Sequence, residues 1–124
     1  MKRILASTAA LALFALPLSA QAMQRPAGDT VTITGQVIDT YCNTVMGAAG
    51  PSHKACAEAC GKAGEALAIL SSDGTIYLPV SGTPGQAQNP LLLPFAEGKV
   101  KVTGTHRHNH GLHTIEIKTI AAAT

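Results

Sequence analysis

Residues 66–80 read A-L-A-I-L-S-S-D-G-T-I-Y-L-P-V. Two apolar runs, Ala66 to Leu70 and Thr75 to Val80, flank the tetrapeptide Ser71-Ser72-Asp73-Gly74, and an Asp-Gly step between such runs is a strong signal for a tight β-hairpin. Working upstream, Val31, Ile33, Gly35 and Val37 alternate with Thr32, Thr34, Gln36 and Ile38, the period of a half-buried strand, with Gly35 marking a bend or bulge. Downstream, Lys99, Lys101 and Thr103 alternate with Val100, Val102 and Gly104. After Gly111, Ile115, Ile117 and Ile120 alternate with Glu116 and Lys118, so a second hairpin ends the chain.

The segments between these strands are short. A Gly/Ala-rich loop is expected from Asn43 to Pro51. Ser52 stands where a helix N-cap belongs, and a helix over about His53 to Lys62 follows, with Gly61 and Gly64 as stop signals. Ser81 to Pro90 reads as a loop, and Leu91-Leu92-Leu93 before Pro94 as a helical turn closing one end of the core. The fold class is therefore mainly β: a small five-stranded OB-like barrel with one short helix after the first strand. Closure removes the exposed edges an open five-stranded sheet would present. The usual helix of that barrel lies between strands three and four, so this placement is a departure, and a small β-sandwich or an SH3-like barrel is the alternative.

The chain has 124 residues, nine of them Lys or Arg and seven Asp or Glu. Lys2 and Arg3 precede an apolar run from Ile4 to Leu18, with small residues at Ala20 and Ala22, which reads as a secretory signal peptide over residues 1–22. Cleavage after Ala22 removes 22 of 124 residues and two of the nine basic side chains, leaving 102 residues with no net charge. A lead-in over residues 23–29 and a single domain over residues 30–124 are expected. No second apolar run approaches the ~20 residues of a spanning helix, and no lipid-attachment Cys or twin-arginine pair marks the leader. A periplasmic or secreted address follows, without stable membrane insertion after signal removal. A neutral domain whose aromatic residues are Tyr41, Tyr77 and Phe95 offers no phosphate-neutralising surface and no stacking platform, which argues against nucleic-acid binding.

Three cysteines in an exported chain are an odd number for an oxidising compartment. His53, Cys56 and Cys60 are spaced by three and four, which places them on one stripe of the expected helix. Cys42, at the end of the first strand, is free to fold back over that stripe. The set Cys42, His53, Cys56 and Cys60 is a Cys3His constellation suited to a soft or borderline metal, Cu(I) or Zn(II). A domain of this size also gains useful stability from a metal or a disulfide. The competing reading is a disulfide from Cys42 to Cys56 or Cys60 in a stapled domain that binds a partner protein or small ligand. A redox-active thiolate activated by His53 is a third, without the C-x-x-C spacing such sites use.

A second cluster, His106, His108, His110 and His113, lies at the last hairpin tip. In extended conformation His106, His108 and His110 project to one side, as a weak second metal site or simply a polar tip that titrates. Asp39 is expected to cap the turn before Cys42 or to support a ligand histidine. No paired carboxylates, nucleophile elbow or phosphate loop is present, so no residue is assigned a catalytic role. The expected partner is a metal-delivery or envelope protein.

The segments G-Q-V-I-D-T-Y-C, G-P-S-H-K-A-C-A-E-A-C, A-I-L-S-S-D-G-T-I-Y-L and K-V-K-V-T-G run from residue 35 to residue 104. In this order they resemble a group of small exported bacterial proteins, largely without assigned function, that share a β-barrel-like core and an H-x2-C-x3-C segment. The resemblance implies that Cys42, His53, Cys56 and Cys60 act together. It supplies no reaction, and the His-rich tip departs from the group.

Overall fold

The computed structural model describes residues 25–124, so the expected signal peptide and the first two residues of the lead-in lie outside the described residues. Five strands, β1 (Asp29–Asp39), β2 (Leu67–Ser71), β3 (Ile76–Pro79), β4 (Lys99–Asn109) and β5 (Leu112–Ala122), form a closed barrel in the order β1-β2-β3-β5-β4. All pairings are antiparallel except β3 with β5. The small five-stranded barrel expected from the sequence is the observed architecture, and both hairpins stand where the periodicities place them. Among the described residues no helix is long and apolar enough to cross a membrane.

Barrel closure depends on β1 serving two neighbours. Its first part pairs with β4, from Asp29 opposite His106 to Gln36 opposite Lys99, and its last part pairs with β2, from Gly35 opposite Ser71 to Asp39 opposite Leu67. The strand turns from one partner to the other at Gly35, where a Cβ would stand 2.5 Å from the Leu70 carbonyl oxygen. Only glycine admits that approach. A bulge between Thr103 and Gly104 shifts the β4–β5 register, so the simple alternation read through Lys118 breaks there.

The interior is filled by Val37, Leu67, Ile69, Leu92, Val100, Val102 and Ile115, with Ile33, Tyr77, Leu93 and Phe95 against them. Leu92 and Leu93 arrive on a short helix (Asn89–Leu92) and a 3-10 turn (Leu93–Phe95), which close the core as the Leu91–Leu93 reading anticipated; Leu91 itself is exposed. That helix occupies the position between strands three and four where the barrel type usually carries one.

The segment between β1 and β2 differs from expectation. Instead of a loop followed by one helix, it holds α1 (Thr40–Met46), a 3-10 turn (Pro51–His53) and α2 (Lys54–Ala63); the short helix after β3 becomes α3. α1 forms because Asp39 Oδ1 accepts the Cys42 N–H at 2.9 Å and Gly47 ends the helix in left-handed conformation. Cys42 therefore sits on a helix rather than at a strand end. Ser52 caps nothing; it lies within the 3-10 turn that leads into α2. Ile38 and Ala68, paired across β1 and β2 on the face away from Val37 and Ile69, are fully buried, as is Ala57 of α2, so the insertion is seated on the outer wall of the barrel.

Candidate metal centre

Asp39, the last residue of β1, is fully buried. One carboxylate oxygen is committed to the α1 cap, and the other, Oδ2, is buried with no hydrogen-bond partner. The capped turn carries Cys42 inward, leaving it 8% exposed, while Tyr41 and Val45 on the same helix face solvent. The 3-10 turn then sets His53 over this position, and the first turn of α2 brings up Cys56, which is exposed.

Cys42 Sγ, Cys56 Sγ and a ring nitrogen of His53 all lie within 4.8 Å of one another. Cys42 Sγ, Cys60 Sγ and a carboxylate oxygen of Asp39 form a second group within the same limit, and all three thiols are free. Tetrahedral Zn–S bonds of about 2.3 Å place donor sulfurs roughly 3.8 Å apart. Donor atoms within 4.8 Å of one another are close to that spacing in both groups. The structure thus brings Cys42, His53 and Cys56 together as a set able to hold a metal ion, and places Cys60 beside Cys42 on the side of Asp39.

The orientation of His53 is set from a distant part of the chain. Its Nδ1 lies 2.8 Å from Glu97 Oε1, and the Glu97 side chain is 1% exposed. A carboxylate only accepts, so Nδ1 carries a proton, and in the neutral ring the lone pair lies on Nε2. Nε2 is buried and has no hydrogen-bond partner. A carboxylate on one imidazole nitrogen and an available lone pair on the other is the arrangement metal-binding histidines adopt. Glu97 is itself held by Gln36 Nε2 at 2.6 Å and the Gly50 N–H at 2.8 Å, both donating to Oε2. Its backbone lies in the left-handed region, φ 59°.

The thiols respond to the buried carboxylate. Cys60 is pushed up to about 12, first by the pull of the Asp39 carboxylate on its proton, then by burial, the Asp39 charge and Cys56. Burial, followed by the Asp39 charge, also raises Cys42. Both thiols therefore keep their protons at neutral pH unless a cation replaces them.

The hairpin histidines are arranged differently from expectation. His110 does not share a side with His106 and His108; it occupies the two-residue turn with Gly111, both at positive φ. His113 takes its place. His108 and His113 stack at 4.0 Å, His106 Nε2 lies 2.9 Å from His113 Nδ1, and Tyr77 meets both His106 and His113 edge-on. His106 lies opposite the core residue Ile115, so these rings extend the inward face of the barrel at its rim. The groups of three donors within 4.8 Å among the described residues include none of these imidazoles.

Sequence reading missed Glu97 and the ligand capacity of Asp39. Glu97 carries no local signal, being a single acidic residue before Gly98; only the pairing of β1 with β4 brings it to His53. Asp39 directly precedes the Cys42 segment, and its burial at a strand end was the missing fact. Neither a protein family, a curated protein sequence nor a solved structure matches this chain.

Proposed function

We propose that this is an exported metal-binding protein that holds a thiophilic ion, Zn(II) or Cu(I), through Cys42, His53 and Cys56 with Cys60 alongside. One observation carries the reading: His53, grouped with two sulfurs, has its Nδ1 held by Glu97 and its Nε2 buried without a hydrogen-bond partner. Buried polar atoms are nearly always paired, and an ion at this position supplies the partner. The exposed Cys56 leaves one side of the ion reachable, which suits handling and transfer to a metal-delivery or envelope protein better than a closed structural site.

The proximity of Cys42 to both other thiols favours a second reading, a disulfide-stapled binding domain without metal. Mass measurement of the purified protein with and without thiol alkylation separates the two. Three thiols that react freely after chelation and resist alkylation after loading with Zn(II) or Cu(I) support the metal reading. A two-hydrogen deficit with one reactive thiol supports the staple and overturns it.

A further inference from the structure

A Cys3His site uses four donors, and the structure provides five in an arrangement that a single ion does not use. The donors fall into two groups, Cys42, His53, Cys56 and Asp39, Cys42, Cys60, and the same sulfur belongs to both. Each group contains a residue that carries one of the two buried side-chain atoms without a hydrogen-bond partner among the described residues, His53 with its Nε2 in the first and Asp39 with its Oδ2 in the second. One ion on the first group satisfies His53 and leaves the buried Asp39 carboxylate with only the weakly donating Cys60 thiol beside it. Two ions satisfy both.

We propose that the centre holds two zinc-class divalent ions bridged by the Cys42 thiolate, one completed by His53 and Cys56 and the other by Asp39 and Cys60. This rests on the metal-binding reading above and specifies its stoichiometry and ligand sets. A thiolate has lone pairs enough to bridge, and ions sharing one donor sit about 3.5–4 Å apart. Charge supports the pair. Three thiolates and the Asp39 carboxylate carry four negative charges, which two divalent ions neutralise. One divalent ion on the first group is neutralised by the Cys42 and Cys56 thiolates and leaves the fully buried Asp39 carboxylate without a cation, which is unfavourable. The carboxylate also selects the metal, since a hard oxygen donor suits a borderline divalent ion and not Cu(I). As each metal–sulfur bond forms, the thiol releases its proton to solvent.

The test is zinc stoichiometry on the full mature protein, loaded with Zn(II), desalted, and read by elemental analysis and native mass spectrometry. The expected result is two zinc ions per chain. Asp39→Asn keeps the oxygen that caps α1 and removes the charged donor, and should lower the count to one with His53 and Cys56 still engaged. Cys60→Ser should do the same, and carries this arm if Asp39→Asn fails to fold by circular dichroism. Cys56→Ser should also retain one ion, on the opposite group. A single zinc in the parent protein, or two that survive all three substitutions, overturns the bridged pair and leaves the metal-binding reading standing. Retention of no zinc by a folded, fully reduced protein overturns both.

Discussion

Replacing Glu97 with Gln separates the orienting role of this carboxylate from its role in packing. Two donors, Gln36 Nε2 and the Gly50 N–H, converge on Oε2, while Oε1 faces His53 Nδ1 at 2.8 Å. A Gln side chain of the same shape keeps its carbonyl oxygen where Oε2 stands, because the opposite flip would set its NH2 against both donors. Its NH2 then points at His53 Nδ1, which becomes the acceptor, and the ring proton moves to Nε2. The lone pair that a metal requires is lost from the buried side of the ring. Changes to the residue behind a ligand histidine reduce metal affinity about 10–100-fold, equivalent to about 1.4–2.7 kcal/mol. Competition between the protein and a chromophoric chelator for Zn(II) measures that loss, and nitrogen chemical shifts of the His53 ring report the tautomer. Circular dichroism should remain that of the parent. An affinity unchanged within about twofold, with Nε2 still unprotonated, would refute the assignment of Glu97 as the residue that sets the tautomer.

Two further outcomes follow from the barrel. Ile115 is fully buried in the central cluster, so Ile115→Ala should destabilise the fold by about 2–5 kcal/mol and lower the thermal midpoint by at least about 8 °C; a loss under about 1 kcal/mol in urea unfolding would contradict the packing described. His113 is held below its ordinary value of 6.5, first by burial and then by the charges of His108 and His106, with Asp73 acting in the opposite direction. The folded state thus disfavours the protonated ring relative to the unfolded chain, and the associated stability is present above about 6.5 and lost as pH falls from there through the lowered folded-state value. Urea midpoints between neutral pH and pH 5 should show this decline, and His113→Gln should flatten it; identical pH profiles for the two proteins would exclude His113 as the source.

What was legible in the sequence was local. The Asp73-Gly74 step fixes the β2–β3 hairpin because few other dipeptides suit such a turn, and Gly35 announces the point where β1 changes partners. Cys56 and Cys60 could be placed on one helix face because their spacing matches the helical repeat. α1 was not legible, since T-Y-C-N-T-V-M has no apolar period. It exists because a buried carboxylate caps one end and Gly47 releases the other. Alternation carried on to His110 misplaces its side chain, because His110 and Gly111 form the turn at positive φ. Glu97 reaches the site through long-range pairing: Gln36 lies opposite Lys99, so the residues before β4 run beside the end of β1, and the Glu97 N–H donates to the Val37 carbonyl at 2.9 Å. No spacing rule contains that information.

The same long-range arrangement argues for a ligand on energetic grounds. Glu97 holds a left-handed backbone conformation, which for a residue with a Cβ costs roughly 1–2 kcal/mol. His53 Nε2 and Asp39 Oδ2 are each buried without a partner, and an unsatisfied buried polar atom costs about 1–3 kcal/mol. A domain is stable by only about 5–15 kcal/mol in total, so three such defects consume a large part of the margin. Packing does not require them, because Ile38, Ala57 and Ala68 already seat the insertion on the barrel wall. All three bear on the surroundings of a single sulfur, Cys42 Sγ. The proposed pair of ions sharing that sulfur would give both orphaned atoms a partner and would use the strain at Glu97 to orient a ligand, so that defects in the isolated chain would become bonds in the loaded one.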